Sequence, residues 1–203
     1  VEVDGRRIYL RDIAEQATRV LLYRKPVQEM VTRFDPQGRD TIFDHLPRLA
    51  IGRWIAVGRL DFNTAGVLLL TNNGELAKRL MHPSANIERE YAVRVLGEVT
   101  PDILRDLKRG VELEDGMARF DAIRQAAPDE QGEGANQWYH VIVREGRNRV
   151  VRRLWESQSL TVSRLMRVRF GPCVIPRGTQ VGRAYECTPE EVTLVAKLVD
   201  LRM

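Results

Sequence analysis

The run Val67-Leu68-Leu69-Leu70-Thr71, set behind the polar turn Arg59-Leu60-Asp61-Phe62-Asn63-Thr64, constrains the fold more than any other stretch. Successive side chains of a strand point to opposite faces, so a strand this apolar must be covered on both sides. That calls for a layered protein with a sheet at its centre. The same run places a carboxylate, Asp61, at the lip of the core, with the Arg59 guanidinium two residues away. A nearby cation keeps a carboxylate ionised and partial burial strips it of water, a combination suited to a nucleophile. Capping a turn before a strand is the more common use of an aspartate.

Strand-like runs occur at Arg19–Arg24, Val27–Arg33, Trp54–Val57, Val67–Thr71, Glu90–Leu96, Gln137–Arg144 and Leu160–Phe170. Helices are marked by their ends. Thr100-Pro101-Asp102 opens one that Gly110 closes, and Thr188-Pro189-Glu190-Glu191 is a capping box that opens the last. Another spans Glu75 to Met81, before Pro83, and a fourth starts around Asn148 and runs through Trp155. Ala127–Gln137 is polar and reads as a surface loop. The pattern predicts an α+β domain with a mixed, mostly antiparallel sheet flanked by helices.

At 203 residues, 43% apolar and 30% charged, the chain is an ordinary globular sequence. No apolar stretch is long enough to span a membrane. Cys173 and Cys187 have no metal-site spacing, which suggests free thiols in a reducing cytoplasm, and His45, His82 and His140 are scattered. Net charge is +4, but it is uneven: between Arg144 and Arg169 eight arginines face two glutamates. The remainder carries 24 basic and 26 acidic residues. An arginine-rich patch on a neutral body suits a nucleic-acid partner.

Gly58-Arg59-Leu60-Asp61 with Thr64, Gly66 and the leucine run resembles the signature of the RNA pseudouridine synthases that modify ribosomal RNA. Further segments match in order. They are Tyr23-Arg24-Lys25-Pro26, Asp35-Pro36-Gln37-Gly38-Arg39, Glu88-Arg89-Glu90-Tyr91-Ala92-Val93, and Glu145-Gly146-Arg147-Asn148-Arg149-Val150-Val151-Arg152-Arg153-Leu154-Trp155. Together they extend from about Arg19 to the C-terminus. The last is worded most like the large-subunit type within the small-subunit-synthase-A-like branch. Members of that branch usually carry a small N-terminal RNA-binding domain. Residues 1–17 therefore read as a linker or remnant of such a domain, and 18–203 as the catalytic domain, with an active-site cleft across the sheet.

The resemblance implies isomerisation of a uridine in ribosomal RNA, most consistent with the large subunit, without cofactor or metal. It makes Asp61 the catalytic carboxylate. Attack on the ring, attack on the sugar and removal of a sugar proton all fit the sequence. Tyr91 would stack on the uracil, and Arg147 would pair with Asp61 and hold it ionised. Arg59 would fill the space left by the extruded base. Val151 would pack against that base. Arg149, Arg152 and Arg153 share helical spacing on a face rotated from the apolar stripe of Val151, Leu154 and Trp155, and are expected to face RNA phosphates. Lys25 would belong to a second basic edge. A monomer is the simplest expectation. The alternative is a non-catalytic RNA-binding or ribosome-assembly module on the same fold. A metal-dependent nuclease would want clustered carboxylates, yet the acidic group Glu112-Leu113-Glu114-Asp115 lies away from these motifs in the sequence.

Overall fold

The computed structural model describes residues 2–3, 6–7, 17–127 and 137–202. Most of the expected N-terminal linker, and residues 128–136 of the expected loop, lie outside them. Strands β1 (Glu2–Val3) and β2 (Arg6–Arg7) pair antiparallel. Then come β3 (Val20–Lys25), β4 (Ile55–Ala56), β5 (Ala65–Thr71), helix α1 (Gly74–Met81), β6 (Arg89–Leu96) and α2 (Pro101–Arg109). They are followed by β7 (Val111–Leu113), β8 (Gly116–Ala118), β9 (Ala122–Gln125), β10 (Gln137–Val143), α3 (Val150–Glu156), β11 (Thr161–Phe170), β12 (Cys173–Val174), β13 (Ala184–Glu186) and α4 (Pro189–Lys197). The main sheet runs β13-β3-β5-β11-β6-β10-β9, with β4 added to β5 and β12 to β11. Only the β5–β11 pairing within it is parallel, giving the mixed, mostly antiparallel α+β architecture expected.

The leucine run is covered on both sides. Val67 and Leu69 pack with Leu76, Ala77 and Leu80 of α1 and with Val192, Val195 and Ala196 of α4. Leu68 and Leu70 point the other way, into Leu21, Tyr23, Ile42, Trp54 and Leu60. All four are 0% exposed, and each such burial stabilises by about 1.5–3 kcal/mol. A third cluster joins Val93 and Val95 of β6 to Tyr139, Val141 and Val143 of β10 beneath Val151, Leu154 and Trp155 of α3.

The helix ends behave as their sequences direct. Thr188 and Glu191 close a capping box on α4, and Asn73 Oδ1 accepts from Leu76 N at 3.0 Å to start α1. Helix α3 starts at Val150 instead of Asn148, because Arg149 takes a left-handed conformation (φ 50°). The expected strand Val27–Arg33 does not form. Pro26 has no N–H for a ladder and Gln28 turns to φ 66°, its N–H bonding Phe62 O at 2.7 Å. Only Met30 bridges in strand fashion, to Thr41. The segment therefore wraps the turn that carries Asp61.

Gly66 is where sheet geometry dictates the residue. Its φ is +111°, and a Cβ there would sit 2.0 Å from Arg167 O on the parallel neighbour. Only glycine lets β5 and β11 approach so closely beside the cleft.

Candidate active site

Asp61 sits in the turn between β4 and β5, closed by a bond from Thr64 N to Asp61 O at 2.9 Å. Leu60, buried just before it, anchors the turn in the core. Two buried cations hold the outward carbonyls of this turn. Lys25 Nζ donates to Thr64 O at 3.0 Å, to Asp61 O at 3.3 Å and to Pro26 O at 2.8 Å. Arg152, from α3, donates to Asn63 O at 2.9 Å and to Val162 O at 2.8 Å. The acid is thus carried on a backbone clamped from two directions, which limits its range of positions.

Neither cation stands where the sequence pattern put it. Lys25 is 1% exposed and does not form a surface edge. Burial pushes its ammonium down to about 8, against upward pulls from Glu29 and Asp61. Arg152 is 8% exposed, not directed at phosphates. Burial and the neighbouring Arg149 lower its proton affinity, while Asp61 and Glu156 raise it, and its Nε has no acceptor among the described residues. Arg152 thus lies close enough to Asp61 for the acid's charge to raise its proton affinity, although its hydrogen bonds go to main-chain carbonyls.

The structure does not pair Arg147 with Asp61. Arg147 bonds the Glu145 carboxylate, Asp115 Oδ1 and the carbonyls of Asp115, Gly116 and Met117. It ties the β7–β8 turn to the start of α3. Arg153 binds the same Asp115 with two bonds of 2.8 Å, so the acidic group Glu112–Asp115 lies against the arginine motif after all. Arg149, the one exposed member of the three, lies within 3.5 Å of Glu156.

A cavity of about 540 Å³ opens in front of the turn, within the range of small-ligand sites. Arg59, Asp61, Tyr91, Arg147, Arg149 and Val151 all line it, so six of the nine site residues read from the sequence share one cleft. Asp61 is half-buried there, neither sealed in the core nor turned fully to solvent. Tyr91 is half-buried on β6, opposite Arg167 of β11. Arg59 is exposed and has no ion-pair partner among the described residues; Glu75, a possible local partner, pairs with Arg79 at 2.6 Å.

Two lining arginines, Arg89 and Arg167, were given no role from sequence. Arg167 looks in the sequence like one more exposed arginine of a basic strand. Its burial follows from its place next to Gly66 in the central pairing. Among the described residues no group of three His, Cys, Asp or Glu side chains is placed to hold a metal ion.

A carboxylate and a tyrosine facing one nucleotide-sized cleft on a mixed sheet agree with the sequence signature, and comparison with known proteins gives the class. Residues 19–157 match the family model described as RNA pseudouridylate synthase, and the chain belongs to that family. It is similar to the Pseudomonas aeruginosa protein named ribosomal large subunit pseudouridine synthase B, with 56% identity over 202 residues, covering 100% of this chain and 52% of that protein. The Escherichia coli protein of the same name is 54% identical over 201 residues, covering 99% of this chain and 68% of that protein. The chain thus spans about half the length of the Pseudomonas relative. A solved structure described as a pseudouridylate synthase superposes with a TM-score of 0.74 at 22% identity, over 90% of this chain and 74% of that one, which shows the shared fold.

Proposed function

We propose that this chain is the catalytic unit of an enzyme that converts a uridine of ribosomal RNA, in the large subunit, to pseudouridine. The observation that carries the reading is the clamped turn that presents Asp61 to the same cleft as Tyr91. The names of its relatives supply the substrate class. The wording of the α3 motif supports a position in the small-subunit-synthase-A-like branch.

The reaction breaks the bond from ribose to the ring nitrogen, re-forms it to carbon 5, and removes the proton from that carbon. Nothing is oxidised and no group leaves the RNA, so the cleft works without cofactor. The target uridine must first leave its stack, which costs a few kcal/mol. Exposed Arg59 at the mouth of the cleft fills the vacated space, and Tyr91 and Val151 take the uracil between them. Asp61 then acts on the nucleotide, with Arg152 and Lys25 fixing the turn and supplying positive charge beside the acid. Arg147 and Arg153 build the wall by fastening the β7–β8 turn, while Arg149 is left to meet RNA phosphate. The enzyme works as a cytoplasmic monomer.

The test is to incubate the protein with a large-subunit ribosomal RNA transcript and map pseudouridines. One converted position is the expected result. Tight binding with no conversion would instead favour a ribosome-assembly module on this fold.

A further inference from the structure

The floor of the cleft holds two guanidinium groups that no carboxylate in the described residues neutralises. Arg167 is 3% exposed; its Nε donates to Val67 O at 2.8 Å, and one terminal nitrogen is sealed without an acceptor. Arg89, half-buried, donates to the carbonyls of Ile87 at 3.0 Å and Arg144 at 2.8 Å, and its other terminal nitrogen lies beside Gly146. Both lie over the ring of Phe170, each 5.3 Å from its centroid. The β6–β11 register sets Phe170 opposite Arg89 and Arg167 opposite Tyr91, so the four side chains form one patch on one face of the sheet. Two neighbouring arginines are treated differently: Arg169 of β11 pairs with Glu88 and Glu90, and Arg144, just past β10, pairs with Glu88.

A buried and a half-buried guanidinium close together are costly to keep without an anion between them. Stacking on Phe170 and bonds to main-chain carbonyls hold both groups in place, while leaving their charge uncompensated. We propose that Arg89 and Arg167 form a phosphodiester-binding subsite, receiving the backbone phosphate next to the nucleotide whose base stacks on Tyr91. This rests on the reading of the cleft as an RNA site, because a phosphodiester is the anion that RNA carries past every base. It also gives the cleft floor a specificity function: a free nucleoside could fill the Tyr91 position but would leave the arginine pair empty.

The test measures binding of a large-subunit ribosomal RNA transcript to the wild-type chain, Arg167→Met, Arg167→Lys and Arg89→Met across about 50–200 mM salt. Each Met variant is expected to weaken binding about tenfold and to lower the salt slope by about 0.7–0.9, one phosphate contact. Arg167→Lys should keep the wild-type slope. Wild-type slopes and affinities in both Met variants, with or without a lowered melting temperature, would make the pair a scaffold element and overturn the proposal. If Arg167→Met does not fold, Arg89→Met decides in the same way. Wild-type protein that neither binds nor converts the transcript would refute the RNA reading itself, a different outcome from loss of the subsite.

Discussion

Asp61, Arg152 and Lys25 define the site at the scale of single residues, and each has a separable role. Arg152 holds two carbonyls from a buried position, so Arg152→Ala leaves Asn63 O and Val162 O without their donor. The expected loss is about 2–3 kcal/mol in a denaturant titration, with conversion lost and the salt slope of RNA binding unchanged. A reduced slope would return Arg152 to the phosphate-facing set. Lys25 gives a pH signature. Its folded value is near 8, below the ordinary 10.5. Between those two values the unfolded chain holds more protons, so this group makes stability rise with pH across that window, by up to about 3 kcal/mol. Subtracting the stability curve of Lys25→Met from that of the wild type should reveal the rise; a flat difference would show that Lys25 titrates normally. Tyr91→Phe retains the stacking surface and should keep substantial binding, and complete loss of conversion in it would assign the hydroxyl a direct part in moving the carbon 5 proton.

The elements explain what could and could not be read from sequence. β5 announced itself because four adjacent apolar residues leave no other option, and the caps of α2 and α4 were explicit. The expected strand at Val27–Arg33 failed because alternation alone does not register that Pro26 and a left-handed Gln28 end pairing. For α3, helical spacing grouped Arg149, Arg152 and Arg153 as one solvent face. Yet Arg152 lies only about 60° past the edge of the apolar arc from Val150 to Trp155, close enough to be buried once the 61–64 turn packs there. The pairing of Arg147 with Asp61 that the resemblance implied does not form, and the contact that brings Arg152 to the turn instead joins residues 89 positions apart, Asn63 and Arg152. At this scale Gly66→Ala is the sharpest probe. Its Cβ would collide with the Arg167 backbone, so a loss of more than about 3 kcal/mol is expected by thermal unfolding. A melting temperature near that of the wild type would mean that β5 and β11 are not so closely paired.

Over the whole molecule, the cleft lies where three packed clusters meet, with Tyr91 touching two of them and Phe170 belonging to the third. Its walls come from β4–β5, β6, β11 and the start of α3, segments far apart in the chain. The acid is therefore positioned by the complete fold, not by its own loop. That is why the sequence revealed the members of the site better than their pairings. The central claim, that Asp61 performs the chemistry within a cleft that binds RNA by other groups, is tested most directly by comparing Asp61→Asn with the wild type on one ribosomal RNA transcript. The account predicts a dissociation constant within about twofold of the wild type and conversion reduced by at least about a thousandfold, as for a group that acts only in the transition state. Undiminished pseudouridine formation by Asp61→Asn would contradict it.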